Sequence, residues 1–168
     1  MTTITKSEAQ KLLKAPPKKK PAKSSKTFTF YDDGRSLLKL REAYPEVFYD
    51  QSWYGDQDFV KETEKPCMRT IRILHDSNNK TFNEQKALLE KDEEVTKARQ
   101  LVMLSVLLQL KGEEPIEEMM NGWIRCAEET TLDSRVVLYW REGRLGVDGC
   151  WDADRHDRVF LSNTISTK

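Results

Sequence analysis

Residues 96–111 read TKARQLVMLSVLLQLK and hold the most apolar stretch of the chain. The pattern predicts a helix over 96–111, and Gly112 is its natural stop because glycine readily takes the left-handed conformation that ends helices. Its apolar side chains surround most of the helical cylinder instead of forming one stripe. A helix that is apolar nearly all round is buried, so this segment is predicted to be the central core helix.

After this helix the sequence changes from a helical period to strict alternation. Four short strands are predicted, at 123–127, 135–140, 144–149 and 159–162. Glu142-Gly143 joins the second strand to the third as a two-residue hairpin, because Gly143 accepts the positive φ of a primed turn. The predicted fold class is α+β, an antiparallel β-meander of about four strands packed on the buried helix, with further short helices.

Shorter elements are predicted before the core helix: an edge strand at 27–31, a helix from Asp32-Asp33-Gly34 to about Ala43, a strand at 68–74 and a helix at 82–91. The last of these begins with a capping box, in which the Thr81 hydroxyl accepts from the Glu84 amide and the Glu84 carboxylate accepts from the Thr81 amide. Residues 46–66 are irregular but rich in aromatic rings, so they are predicted to pack on the domain or to line a groove.

The first 27 residues differ from the rest in charge. They hold eight lysines and one glutamate, a net charge of +7, whereas residues 28–168 carry −7. Prolines deny helix and repelling lysines favour extension, so residues 1–27 are predicted to be a disordered tail and residues 28–168 a single α+β domain.

The charge of the tail predicts electrostatic binding of a protein partner or a polyanion. Nucleic acid would be bound weakly and without sequence preference, because lysines near phosphates release counterions. A solubilising spacer is the alternative. The lysines that would carry the binding are Lys18, Lys19, Lys20, Lys23 and Lys26.

The three cysteines, Cys67, Cys126 and Cys150, are widely spaced and form neither a C-x-x-C motif nor a zinc-type cluster. Reduced thiols in a cytoplasmic protein are the expectation. Residues 1–30 lack the apolar core of a secretory signal, and residues 101–110 are far shorter than the ~20 residues that a bilayer span requires. We therefore expect a cytoplasmic protein with no membrane partner and no cofactor.

The weak catalytic candidates are His75, His156 and Asp154. His75 ends a predicted strand just before a helix, a position where catalytic residues are often mounted, and histidine titrates near neutrality. An acid–base or metal site would form if His75 met His156 and the nearby carboxylates in space. No Gly-rich phosphate loop, G-x-S-x-G elbow or H-E-x-x-H motif occurs in the sequence.

Three carboxylates, Asp152, Asp154 and Asp157, are the candidate metal ligands, since alternate acidic residues in a tight loop can converge on a hard cation. The EF-hand spacing fails, because positions 157 and 163 are Asp and Asn instead of Gly and Glu. A polar turn whose Asp side chains bond local amides is the favoured interpretation, and no metal binding is predicted.

Aromatic side chains are numerous for a chain of this size, and core packing is the expectation for most of them. Adjacent strand residues point to opposite faces, so Tyr139 and Trp140 cannot both point inward. Trp53, Tyr54 and Trp140 are therefore candidates for an exposed binding patch, since rings of this kind anchor interfaces.

Residues 51–54, 79–85 and 146–154 resemble segments of small bacterial proteins of unassigned activity. The resemblance spans residues 46–162, implies one compact domain and transfers no functional residue. The function expected from the sequence is therefore that of a non-enzymatic binding or accessory protein, with an aromatic-bearing body and a basic tail. The alternative is a small metal-dependent or acid–base enzyme that uses His75, His156 and the loop at 152–157.

Overall fold

The computed structural model describes residues 25–131 and 133–165. Its strands are β1 (Thr27–Asp32), β2 (Cys67–Leu74), β3 (Glu93–Val95), β4 (Trp123–Thr131), β5 (Ser134–Arg141), β6 (Arg144–Trp151) and β7 (Val159–Ile165). Its α-helices are α1 (Leu37–Ala43), α2 (Phe82–Lys86), α3 (Ala98–Leu110) and α4 (Glu117–Asn121), and 3₁₀ turns lie at Pro45–Val47, Asp58–Val60 and His75–Ser77. No helix in the described ranges is long and apolar enough to cross a membrane.

The seven strands form one mixed sheet in the order β1-β2-β7-β4-β5-β6, with β3 also paired to β7. Strands β4 and β7 run parallel, with Trp123 opposite Val159, and the other pairs are antiparallel. The predicted four-strand antiparallel meander is therefore wrong. Only β4, β5 and β6 form a meander, and the strand predicted at 159–162 lies on the far side of β4.

Burial explains where β7 lies. Val159 and the run Leu161–Asn163 are buried, so side chains of both faces are covered along the middle of this strand. A strand buried on both faces belongs in the interior of a sheet, where it has neighbours on each side. Alternation in the sequence predicted that this segment is a strand, but it carried no information about which strands flank it.

Helix α3 is the core helix that the sequence predicted, and its bounds differ from the prediction by two residues or fewer. Leu101 and Val102 are fully buried, and they belong to one apolar core with α1 and one face of the sheet. Ser105 satisfies its buried hydroxyl by donating to the Leu101 carbonyl at 2.8 Å. Polar residues are thus tolerated inside this helix because the helix backbone supplies acceptors.

The capping box of α2 is confirmed, because the Glu84 amide donates to Thr81 Oγ1 at 3.3 Å and the Thr81 amide donates to Glu84 Oε2 at 2.8 Å. The predicted extent of this helix, to residue 91, is wrong. The helix ends at Lys86, and Glu93–Val95 instead pairs with β7 as strand β3. After Lys86 the helical bonding is not continued, because the Leu88 and Leu89 amides donate three positions back, to the carbonyls of Gln85 at 3.0 Å and Lys86 at 3.1 Å.

The turn between β5 and β6 and the residues before β1 can be compared with the predictions. Glu142 and Gly143 have φ values of 53° and 75°, which confirms the primed hairpin turn between β5 and β6. Residues 1–24 of the predicted tail lie outside the described residues. The prediction extended the tail too far, because the Lys26 carbonyl accepts from the Ile73 amide at 2.9 Å and Thr27 begins β1.

Candidate functional site

The outer edge of β6 is covered along its first half and open along its second half. Residues 48–51 run beside the first half, where the Tyr49 amide donates to the Leu145 carbonyl at 2.9 Å. At Val147 the edge is covered by side chains. Gln51 bonds both the amide and the carbonyl of Val147 at 3.0 Å, and Trp53 Nε1 donates to the same carbonyl at 3.1 Å. This leaves residues 148–151, which we call the open edge.

Two cavities adjoin the open edge and share Asp148 and Gly149 as lining residues. The first has a volume of about 230 Å³ and is also lined by Trp123, Val137, Cys150, Trp151, Asp154, His156 and Val159. The second has a volume of about 270 Å³ and is also lined by Trp53, Gln57 and Thr130. The exposed rings of Trp53 and Trp151 thus stand on either side of one stretch of backbone.

Arg125 fixes the loop that follows the open edge. Its guanidinium is fully buried beneath the loop, where Nη2 donates to the carbonyls of Trp151 at 2.7 Å and Asp154 at 2.9 Å. Nη1 donates to the Lys80 carbonyl at 3.1 Å and to Gln85 Oε1 at 3.0 Å. One side chain of β4 therefore holds both the wall of the first cavity and the start of α2.

A second buried arginine, Arg99, joins α3 to the opposite end of the sheet. Its guanidinium bonds the Asp32 carboxylate at 2.8 and 2.5 Å and Glu64 Oε2 at 2.5 Å. Arg69 also bonds both carboxylates, and Lys97 Nζ lies 3.0 Å from Glu64 Oε1. We call these five residues the Arg99 cluster. A cleft of about 320 Å³ lies beside the cluster. Because the arginines and the lysine of the cluster pair with its two carboxylates, we assign the cluster a structural role.

The Arg99 cluster holds its carboxylates ionised. Burial raises the pKa of Asp32, but hydrogen bonds from Arg99, the Gly34 amide and Arg69 outweigh burial and lower it to about 2. Burial likewise opposes ionisation of Glu64, and hydrogen bonds from Gln100, Lys97 and Arg99 lower its pKa to about 2. Stabilising contacts of this kind are lost only in strong acid.

Glu128 of β4 lies at the N-terminus of α3, where both of its carboxylate oxygens accept from the Ala98 amide, at 3.0 and 2.9 Å. Burial raises the pKa of Glu128 to about 7, although the Ala98 amide favours the ionised form. This carboxyl therefore takes up a proton near neutrality, unlike the carboxylates of the Arg99 cluster.

We expect the Glu128→Gln variant to lose a pH dependence of stability that the natural chain shows. A carboxyl whose pKa is raised in the folded state binds its proton more tightly there, so stability is present at low pH and falls as pH rises from about 4.5 through about 7. The decrease should be at most about 3 kcal/mol. Urea unfolding at pH 5, 6, 7 and 8 measures it, with Glu94→Gln on the exposed face of β3 as the matched control. A natural chain with the same slope as Glu128→Gln would contradict the expectation.

The two predicted histidines lie in different surroundings. His75 Nδ1 is 2.8 Å from Oε1 of the buried Glu118 of α4, and His75 does not line the cavity that contains His156. His156 is exposed, and its Nε2 lies 4.0 Å from Asp154 Oδ2. His156 and Asp154 are thus brought together, while His75 faces a different partner.

The three carboxylates of the acidic loop do not converge. Asp152 accepts from Arg135 Nε at 3.2 Å on both oxygens, and Asp154 faces His156. Within residues 25–131 and 133–165, no three His, Cys, Asp or Glu side chains are close enough together to hold a metal ion. Asp152 and Asp154 are therefore engaged by different side chains, Arg135 and His156.

Of the aromatic candidates for a binding patch, Trp53 is 42% exposed, while Tyr54 and Trp140 are buried. Tyr54 packs edge-on against Trp53 at 5.5 Å between ring centroids, and the Arg41 guanidinium lies 5.1 Å from the Tyr54 ring centroid. Tyr54 and Trp140 therefore belong to the core and cannot form an exposed patch. The exposed partner of Trp53 along the open edge is Trp151, which is 58% exposed.

Sequence reasoning missed Arg125, Asp148 and Cys150 as parts of one site. A detectable signal existed for Arg125, because it stands between Ile124 and Cys126 in an apolar strand. A charged residue within such a strand is rarely buried unless it serves a network. Among the predicted lysines, Lys26 binds Glu117 at 3.1 Å, and Lys18, Lys19, Lys20 and Lys23 lie outside the described residues.

Comparison with protein families, curated proteins and solved structures gave no match to this chain.

Proposed function

We propose that the protein is a non-enzymatic binding module that takes an extended, basic peptide segment along the open edge of β6. The observation that carries this proposal is the open edge itself, residues 148–151, lying between two cavities with an exposed tryptophan on each side. An extended peptide can add a strand to such an edge, with main-chain hydrogen bonds for affinity and side-chain cavities for specificity.

The backbone of the open edge supports strand addition. The amide and carbonyl of Val147 point away from β5 toward Gln51, so those of Gly149 and Trp151 share that direction. The Gly149 amide is held by the carboxylate of Asp148 at 2.8 Å. Within the described ranges, no contact from outside the sheet reaches the Gly149 carbonyl or the Trp151 amide. These two groups can pair with an incoming strand.

The charge around the open edge favours a basic partner. Asp148 and Asp154 both line the first cavity, and no lysine or arginine of the described ranges forms an ion pair with either carboxylate. Arg135 is engaged by Asp152 and Arg155 by Glu84, while the buried Arg125 donates to the carbonyls of the loop and not to either carboxylate. Lysine or arginine side chains of a bound peptide would supply the missing counter-charge and set the orientation of the peptide.

We propose a separate role for the lysine-rich segment, as an electrostatic tether to an acidic protein partner or a polyanion. Its charge of +7 supports this role. Binding of nucleic acid by this segment would be weak and steeply salt-dependent. The tether raises the local concentration of the body near its partner, and the open edge supplies the specific contact.

Strand addition is tested with synthetic octapeptides and calorimetry on the full chain. An octapeptide that alternates Lys and Thr should bind, and the Glu–Thr counterpart should not, because it meets Asp148 and Asp154 with like charge. The Lys–Thr peptide carrying N-methyl groups on alternate amides should lose binding, since it cannot pair with the sheet. Equal binding of the methylated peptide would contradict strand addition and leave only electrostatic attraction.

The Trp151→Ala variant should bind the Lys–Thr octapeptide about tenfold more weakly, since truncating a central aromatic anchor costs more than 1 kcal/mol. Tyr31→Ala is the matched control, because Tyr31 is an exposed ring (57%, against 58% for Trp151) on the opposite edge strand β1. A loss of the same size in Tyr31→Ala would place the peptide elsewhere.

A further inference from the structure

Among the residues that the structure describes, no carboxylate pairs with the buried guanidinium of Arg125. Its Nη atoms donate to backbone carbonyl oxygens, to Gln85 Oε1 and to a sulfur, and its Nε has no hydrogen-bond partner within the described ranges. Removing a cation from water without a counter-ion is costly, so a buried arginine of this kind favours negative charge on any group that it touches.

The group in question is the thiol of Cys150. Nη2 of Arg125 donates to Cys150 Sγ at 3.2 Å, well within the distance of a hydrogen bond to sulfur. Cys150 is half-buried and lines the first cavity, which opens to solvent beside the open edge. The sulfur is thus in contact with a buried cation and within reach of small molecules from solvent.

We propose that Cys150 is a reactive thiol that is oxidised by hydroperoxides to a sulfenic acid. Hydrogen bonds from a guanidinium stabilise negative charge on sulfur, both in the attacking thiolate and in the sulfenate that forms. The inference does not depend on peptide binding, since it concerns the chemistry of one wall of the cavity.

The reaction balances with hydrogen peroxide as the oxidant. The sulfur of Cys150 donates an electron pair to one peroxide oxygen, an S–O bond forms and the O–O bond breaks. The sulfur is oxidised by two electrons, and the leaving hydroxide takes the thiol proton to become water. His156 lines the same cavity and can carry that proton.

The other two cysteines provide internal controls. Cys67 is also half-buried, but within the described ranges no guanidinium or ammonium donates to its sulfur. Cys126 is fully buried, and burial raises the pKa of its thiol well above the usual range, which leaves it inert. Cys67 also lines a cleft that contains Arg69 and Lys97, so a comparison of Cys150 with Cys67 tests direct donation from Arg125 to sulfur against partial burial near cations.

The experiment treats the full chain with hydrogen peroxide, traps sulfenic acid with dimedone, and measures the labelling of each cysteine by peptide mass spectrometry. Cys150 should be labelled at least about tenfold faster than Cys67, because a cationic neighbour activates a thiol. Equal rates, or faster labelling of Cys67, would overturn the proposal.

Accessibility is separated from activation by repeating the labelling in concentrated urea. Unfolding exposes both cysteines but removes the Arg125 contact, so Cys150 should react faster in the folded chain than in the unfolded chain, and Cys67 should react more slowly in the folded chain. If Cys150 were labelled more slowly in the folded chain than in urea, partial burial alone would explain its rate. That result would count against the proposal. The Arg125→Lys variant, once circular dichroism shows it folded, should lower the rate at Cys150 and leave that at Cys67 unchanged.

Discussion

Replacing Arg99 with methionine should lower the free energy of unfolding by about 3–5 kcal/mol, which is the cost of leaving a buried charge without its partner. Methionine fills much of the space but removes both Arg99 donors from the buried Asp32 carboxylate, which keeps Arg69 and the Gly34 amide. Glu64 loses one Arg99 donor and keeps Arg69 and Lys97, so the larger loss arises at Asp32. Urea unfolding at pH 7, followed by circular dichroism, measures the change.

The control for Arg99→Met is Lys39→Met, which removes an exposed ion pair with Glu42 at 2.7 Å. Exposed pairs contribute about 0–1 kcal/mol, so this variant should stay close to the natural chain. The double variant Asp32→Leu with Arg99→Met should be less destabilised than the two single variants added together, because the interaction between these two residues is lost in each single variant and is counted twice in the sum. A cost below about 1 kcal/mol for Arg99→Met would contradict the structural role of the cluster.

The stability contributed by the Arg99 cluster should be lost in acid. Asp32 and Glu64 have pKa values of about 2 in the folded chain. Their folded-state values are lowered, so the stability that they contribute is present above about pH 4 and is lost as pH falls toward 2. The natural chain should lose stability over this range, and Arg99→Met should lose less because part of the contribution is already gone.

Truncating Leu101 to alanine should destabilise the chain by about 2–5 kcal/mol, through lost burial and the cavity left behind. Leu101 is fully buried in the core between α3 and the sheet. Leu110 lies on the same helix but is 54% exposed, so Leu110→Ala is a matched control. Both variants exchange the same residue types within one helix, and helix propensity therefore cancels between them.

Urea unfolding measures the free energy of unfolding of both leucine variants. Leu110→Ala should change the free energy of unfolding by less than about 0.5 kcal/mol, as surface substitutions usually do. If the two variants were equally destabilised, the loss would not follow burial and α3 would not be the core helix that its burial indicates.

Elements that are determined by residues close together in the sequence were predictable. Residues 96–111 form a buried helix because their apolar side chains surround the cylinder, and Glu142-Gly143 forms a primed turn because glycine adopts positive φ at low cost. Thr81 and Glu84 cap α2 through bonds that span three residues. In each case the decisive contacts lie within a few positions of one another.

The order of strands was not predictable from such local patterns. Whether β7 pairs with β6 or with β2 and β4 depends on contacts between residues far apart in the chain, and alternation is the same in either case. Strand β3 carried no signal, because Glu93-Glu94-Val95 is short and acidic. It becomes a strand because β4 pairs only with residues 159–161 of β7, which leaves residues 163–165 to pair with β3.

The charged residues of both candidate regions were hidden for a related reason. Arg99 meets Asp32 across 67 positions of sequence, and Arg125 meets Cys150 across 25. Charges are expected on solvated surfaces, so a reader of the sequence assigns them there unless a partner is visible nearby. A clue was available for Arg125, which stands between Ile124 and Cys126 in an apolar strand, but not for Arg99, whose neighbours include Lys97 and Gln100.

The central position of β7 has a consequence for biosynthesis. Strands β2 and β4 are both hydrogen-bonded to β7, so the β1–β2 ribbon and the β4–β6 meander cannot join until residues up to Ile165 have left the ribosome. Before that moment each half presents an uncovered strand that can pair with other chains. Joining the two halves into one sheet should therefore be slow, as expected for distant pairings, and the uncovered edges of β2 and β4 are open to other chains until β7 pairs with them.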